Sequence, residues 1–178
     1  MRRLFLAVLL PEEIKKELVL IQKKYKKLKI VWTKKENLHF TIIFLRLIEQ
    51  EKIKTIKRVV CKVLEKKIPA MVNLEKVFLG PNEKKPRMIW TVDSSPELKK
   101  LSKALKNKLR DENIFFQDSH SFKLHITLAR ARKRELYGKK IEENLDFSFL
   151  AKEICLMESK LKSKGPEYKK LISFKLKK

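Results

Sequence analysis

The sequence runs to 178 residues with 43% of them apolar, enough for one domain or two small fused lobes around a substantial core. Lys and Arg number 45 against 21 Asp and Glu, so 45 − 21 leaves +24. Such a field draws polyanions, but lysine-rich composition also marks heat-adapted proteins, and charge alone does not choose between them. Three glycines exclude a Gly-rich phosphate loop, and Cys61 and Cys155 lack the spacing of a zinc site or disulfide framework. No run approaches the roughly 18 apolar residues of a membrane span.

In chain order, residues 3–10 read as a buried strand. Met1-Arg2-Arg3 followed by Leu4 to Leu10 faintly resembles a signal peptide, yet it is short, lacks a small-residue cleavage site and runs into Pro11-Glu12-Glu13. Pro11 suits the first helical position, Glu12 and Glu13 suit the positive end of the helix dipole, and Ile14, Leu18, Ile21, Tyr25 and Leu28 keep helical spacing. A helix is therefore expected over 11–28. Ile30-Val31-Trp32 is extended, with Trp32 either packed at the rim of the core or free to stack on a base. A strand over 38–45 and a helix over 50–66 follow, the latter with Cys61 as inert packing beside its apolar stripe. Val72, Leu74 and Val77-Phe78-Leu79 suggest one bulged strand, ended by the turn Gly80-Pro81-Asn82.

The second half repeats the order. Residues 87–93 form a strand, Ser94 offers an N-cap with Glu97 placed for a capping box, and Leu98, Leu101, Leu105 and Leu109 mark a helix over 96–111. A polar loop over 112–121 carries His120, which has no repeat partner and is left out of the chemistry. Residues 123–130 form a strand, Ala131 to Lys140 read as a flexible basic loop, and two strands over 149–157 and 168–176 are joined by a turn at 164–167. The lysines of these last strands suit a charged edge that resists aggregation, or a phosphate.

Five residues recur almost unchanged: Leu38-His39-Phe40-Thr41-Ile42 and Leu124-His125-Ile126-Thr127-Leu128. The surrounding landmarks keep a near-constant offset, with 87 − 3 = 84, 96 − 11 = 85 and 125 − 39 = 86. That spacing implies a duplication, with repeat units of approximately 3–45 and 87–130. Period-two alternation turns His39 and Thr41 to one face of their strand, and His125 and Thr127 to one face of theirs. Two imidazoles across a cleft are a general acid–base pair, because a reference pKa of about 6.5 lets one ring be neutral and the other protonated. In-line displacement at phosphorus needs both, and two hydroxyls could hold the non-bridging oxygens. A catalytic zinc wants three ligands, and no Asp, Glu or Cys accompanies either histidine on its strand face, so no metal or cofactor is expected.

These paired motifs, with Arg3-Leu4-Phe5-Leu6-Ala7-Val8, Glu36-Asn37-Leu38-His39, Pro86-Arg87-Met88-Ile89-Trp90 and Leu128-Ala129-Arg130, resemble the two-histidine (2H) phosphoesterases, in their LigT-like branch. The resemblance spans about residues 2–130. It implies an α+β fold of two pseudo-symmetric lobes of antiparallel strands with flanking helices around a central cleft. It implies opening of a terminal 2′,3′-cyclic phosphate on RNA to a 2′-phosphate, with 2′–5′ ligation as the reverse direction. His39 and His125 match the catalytic pair, with His39 as acid and His125 as base; Thr41 and Thr127 match the phosphate-holding hydroxyls. Arg130 matches a phosphate-binding Arg, but strict alternation points it away from His125, so its role requires a bulge or a strand end. Phe5 either stacks on a nucleobase or belongs to the core. Leu124 stands where the family usually has Pro, and Arg46 where Gly is common, which puts a bulky cation near the expected cleft mouth. The implied partner is RNA with a cyclic phosphate end, tRNA fragments included, acted on by a monomeric, cytoplasmic chain without a membrane partner. The competing readings are a non-catalytic RNA- or nucleotide-binding module using the same cleft, and a generic basic nucleic-acid-binding protein.

Overall fold

Leu4 to Val8 are five consecutive buried residues, as a strand covered on both faces requires. Leu4, Leu6 and Val8 join the main core, while Phe5 and Ala7 join a smaller cluster with Cys155 and Met157. The computed structural model describes residues 1–65, 67–93, 96–116, 123–163 and 165–176. The Ser94 cap, His120 and Lys164 lie outside the described residues.

The element order is β1 (Arg2–Leu9), α1 (Glu12–Lys24), β2 (Val31–Trp32), a 3-10 turn (Lys35–Asn37), β3 (His39–Ile48), α2 (Lys52–Leu64), β4 (Ala70–Gly80), β5 (Met88–Asp93), α3 (Glu97–Asp111), β6 (His125–Arg130), β7 (Glu142–Ala151), β8 (Glu153–Lys162) and β9 (Gly165–Lys175). Two antiparallel sheets result, ordered β3-β1-β8-β9 and β2-β6-β5-β4-β7. Each half therefore pairs its opening strand with its histidine strand, β1 with β3 and β5 with β6. This is the expected α+β fold of two lobes.

α1 stops four residues short of the expected end, with a tightened last turn in which the Tyr25 amide donates to the Gln22 carbonyl. α3 ends in a Schellman arrangement: Asn113 takes a φ of 52°, and the Ile114 amide donates to the Leu109 carbonyl at 2.9 Å. The C-terminal part differs from expectation. It holds three strands, because residues 149–157 straddle the break between β7 and β8, and the hairpin connection lies between Lys162 and its partner Gly165. β7 was hard to see because its outward positions carry Glu142, Asn144, Asp146 and Ser148, residues depleted in strands. The segment after β6 is not loose, since Leu136 within it is fully buried. Cys61 is exposed, whereas Cys155 is buried and its thiol is pushed up to about 12 by desolvation, then by Glu153.

Both histidine strands carry a bulge at the same repeat position. On β3, Ala7 faces Thr41 and Leu6 faces Ile43, so Ile42 is an extra residue. On β6, Trp90 faces Thr127 and Ile89 faces Ala129, so Leu128 is the extra residue, and 128 − 42 = 86. A bulge disrupts the ladder, and a buried carbonyl released from it must find another donor. The donor comes each time from a helix of the other half of the chain. Ser102 Oγ on α3 donates to the Ile42 carbonyl at 3.0 Å, and Gln22 Nε2 on α1 donates to the Leu128 carbonyl at 2.9 Å. The Thr33 amide adds a second bond to Leu128 at 2.8 Å. α3 thus reaches β3 of the first sheet as well as β4 of the second, and α1 reaches the second sheet through Gln22, where Tyr25 also bonds Glu143 on β7.

Arg46 has a φ of 60°, a left-handed conformation that explains why glycine is common there. Its side chain is exposed and is not among the residues that line the cleft. Arg46→Gly is expected to stabilise the fold by about 1 kcal/mol, raising Tm by about 2–4 °C in a thermal melt. Ser102→Ala should act in the opposite direction by about 1–3 kcal/mol, because it leaves the Ile42 carbonyl buried without its donor.

Candidate active site

His39 and His125 are the first residues of β3 and β6, and each follows a buried leucine, Leu38 or Leu124, that anchors its strand in the core. The two strands touch across the lobes and open a cleft of about 230 Å³ lined by both histidines, both threonines and Arg130. The residues singled out by the repeat are thus brought together.

The two imidazoles are held alike. His39 Nδ1 lies 2.6 Å from the Asn37 carbonyl, and His125 Nδ1 lies 2.6 Å from the Lys123 carbonyl. A carbonyl only accepts, so each Nδ1 carries its proton and each Nε2 keeps a lone pair. Thr41 Oγ1 donates to that lone pair on His39 at 2.9 Å. Each ring also packs on an aromatic one: Phe5 is 5.1 Å from His39 between centroids, and Trp90 is 4.6 Å from His125. Gly80 makes room for the second contact, since a Cβ there would fall 2.1 Å from the Trp90 ring.

Burial dominates the electrostatics. Desolvation holds His39 down to about 4 against a backbone hydrogen bond that favours the cation, and the charges of His125 and Arg130 lower it further. Desolvation and Arg130 likewise lower His125. Both rings are therefore neutral in the empty cleft at neutral pH. Among the described residues no carboxylate or thiol lines the cleft, so it is built for an anion.

The bulges decide what else reaches that anion. An extra residue reverses the alternation, so the residue three after each threonine shares its face. Arg130 consequently turns to the side of Thr127, with Nη2 3.4 Å from Thr127 Oγ1 and Nη1 3.0 Å from Met88 Sδ. The bulge required for its role is present. In the other repeat the same position is Phe44, since 44 + 86 = 130, and it too lines the cleft. Sequence reasoning missed Phe44, although the repeat offset pointed to it.

Phe5 does not face the cleft. It is 3% exposed and lies beneath His39, Phe44 and Tyr168, so the base-stacking role is corrected to that of a supporting ring. Tyr168 on β9 is the open ring at this side, 5.1 Å from His39. Asn37 fixes it there by donating from Nδ2 to the Pro166 carbonyl at 2.9 Å. Tyr168 has no repeat partner and the sequence held no signal for it, whereas Asn37 lies one offset before Lys123, since 37 + 86 = 123, and its carbonyl holds His39 as that of Lys123 holds His125. Trp32 lines the cleft wall while also packing on the core, with its Nε1 buried and unpartnered among the described residues.

Comparison with known proteins agrees with this geometry. The profile of the LigT like phosphoesterases matches residues 8–90. The chain is 33% identical to the RNA 2′,3′-cyclic phosphodiesterase of Methanocaldococcus jannaschii, over 93% of this chain and 96% of that one. It is 30% identical to the enzyme of the same name from Thermotoga maritima, over 95% and 92% of the two chains. A crystal structure from Thermus thermophilus superposes with a TM-score of 0.88 at 27% identity, covering 98% and 97% of the two chains. E. coli LigT complexed with 3′-AMP shares the fold, with a TM-score of 0.84 at 23% identity over 99% of both chains. With such identity maintained along nearly its whole length, the chain belongs to the LigT-like 2H phosphoesterase family, alongside the RNA 2′,3′-cyclic phosphodiesterases.

Proposed function

We propose that the protein opens the terminal 2′,3′-cyclic phosphate of RNA to a 2′-phosphate with its two histidines and without a metal. The observation that carries this reading is the pair of imidazoles held identically, each with Nδ1 on a backbone carbonyl, lining one carboxylate-free cleft beside an arginine. Water attacks phosphorus in line with the 3′ oxygen, His125 Nε2 takes the water proton, and the P–O3′ bond breaks as His39 delivers a proton to the leaving oxygen. Thr41, Thr127 and Arg130 hold the non-bridging oxygens. Solvent then removes the proton from His125 and restores the one on His39. A 5′-hydroxyl in place of water gives a 2′–5′ linkage by the same two transfers. Two lobes from one duplication suit attack and departure that are nearly mirror events.

The assignment of His39 as acid has a condition. Burial and neighbouring cations keep it neutral when the cleft is empty, so the negative charge of the bound phosphodiester must raise its proton affinity.

The direct test is incubation with a short RNA ending in 2′,3′-cyclic phosphate, in EDTA. Wild type should yield the 2′-phosphate, while His39→Ala and His125→Ala should each lower kcat by about 10²–10⁴-fold. Retained binding without turnover by wild type would favour a binding module, and inhibition by EDTA would remove the metal-free reading.

The pH dependence carries a sign. kcat/KM reports free-enzyme groups, and both histidines titrate below the reference value of about 6.5. The protonated acid is lost as pH rises through its lowered pKa, so kcat/KM should peak on the acid side of about 6.5 and fall toward neutrality. The alkaline limb of kcat, read in the complex, should lie at higher pH. A kcat/KM profile flat from acid through neutral pH would contradict the pair as acid and base.

A further inference from the structure

Two grooves flank the cleft, and they differ in charge. One runs past Lys34, Asn37 and Tyr168 toward the β8–β9 hairpin and contains Glu36 and Glu167. Lys162 there is paired with Glu167 at 3.5 Å. The other begins where β6 ends, has a volume of about 740 Å³, and is lined by Arg87, Arg132, Lys133, Arg134, Tyr137 and Ala131. It contains four cations and no acid. Among the described residues none of these four forms an ion pair with a carboxylate.

The local structure keeps the groove in place, and of the charges in this run only Glu135, which feels Lys133, is negative. Leu136 is fully buried and tethers the segment, and the Ala131 amide donates to the Arg87 carbonyl at 2.9 Å, joining the two walls. Glu135, the acid within the cationic run, is turned onto its own backbone, where it accepts from the Lys133 amide at 2.7 Å. The Arg134 guanidinium lies 5.9 Å from the Tyr137 ring centroid, a flat cationic and aromatic surface of the kind on which unpaired bases stack. Arg130 lines the cleft and Ala131 the groove, so the two are consecutive along the chain.

We propose that this groove binds the single-stranded RNA body on the 5′ side of the cyclic end, with Arg87, Arg132, Lys133 and Arg134 on successive phosphates and Tyr137 with Arg134 under a base. The inference rests on the cyclic-phosphate reading, which supplies the position of the 3′ end. The surface gives this protein a preference for oligonucleotides over mononucleotides that the cleft alone does not provide. In the neighbouring groove Glu36 and Glu167 offset Lys34 and Lys162, so the field favours the cationic side as the path of the RNA.

The test compares an RNA of about ten nucleotides with a 2′,3′-cyclic mononucleotide, which is too short to reach the groove and sets the reference. The variants are Arg132→Ala/Arg134→Ala and, on the opposite flank, Lys162→Ala. Wild type and Lys162→Ala should favour the longer RNA in kcat/KM, and the double variant should lose roughly tenfold of that preference. The plot of log(kcat/KM) against log[salt] for the long RNA should become shallower by about 1.4, the loss of two single-strand phosphate contacts. Anisotropy with the same labelled RNA reads the groove separately from chemistry. Absence of turnover would reject the cyclic-phosphate reading, while a tenfold affinity difference would still support the groove. Unchanged preference, affinity and salt slope in the double variant would overturn the proposal. So would an equal loss in Lys162→Ala, which would reduce the groove to general surface charge.

Discussion

A carbonyl displaced from a β-ladder is the constraint on which this architecture turns. Each histidine strand carries one extra residue immediately after its threonine, Ile42 or Leu128, and the carbonyl of that residue accepts from a side chain outside the strand pair. At Ile42 an unsatisfied buried carbonyl would cost about 1–3 kcal/mol, so that bulge needs its donor, while Leu128 accepts from the Thr33 amide as well as from Gln22. Because the donors are on α3 and α1, the requirement ties each half of the chain to the histidine strand of the other. A buried serine and a buried glutamine on otherwise apolar helix faces then have a reason to be there.

The same extra residue decides the composition of the cleft. Without it, alternation would send Phe44 and Arg130 to the far faces of their strands. With it, each strand presents an imidazole, a hydroxyl and a third side chain to a common space. Packing each imidazole on a buried aromatic ring removes water from one side, and that desolvation leads the list of effects that hold both rings neutral. A site that depresses its own cations and contains no carboxylate gains most when an anion enters, since the anion both pairs with Arg130 and favours protonation of a histidine.

How much of this could be read from the sequence depended on whether a feature was periodic. The repeated Leu-His-X-Thr and the strand–helix–strand order around it follow from alternation and offset, the antiparallel lobes were implied by the family resemblance, and all are present. The need for a bulge before Arg130 followed from the same alternation. Phe44 was legible in principle, as the repeat counterpart of Arg130. Tyr168 was not, because it reaches the cleft through a strand pairing and a hydrogen bond from the Asn37 side chain that join distant parts of the chain and leave no pattern along it. Phe5 was ambiguous because β1 is buried on both faces, so its position on the strand could not separate a cleft wall from a cleft floor. β7 was obscured by its polar outward face.

The backbone of the site is two-fold, but its side chains are not, and the difference follows the reaction proposed for it. Around His39 the cleft is aromatic, with Phe44 and Tyr168 open to it above Phe5. Around His125 it carries Arg130 against Thr127, with Trp32 of the neighbouring β2 in the wall. Attack and departure at a phosphodiester are nearly mirror events, which a duplicated backbone serves well, but the groups at the two ends differ. One is a water molecule and the other the 3′ oxygen of a nucleoside carrying a ribose and a base. In the proposed reaction the rings of Phe44 and Tyr168 would take the nucleoside, with its 3′ oxygen by His39, and Arg130 would hold the phosphate beside His125. The divergence between the two repeats, Phe44 against Arg130, is the asymmetry on which the proposed acid role of His39 and base role of His125 rest.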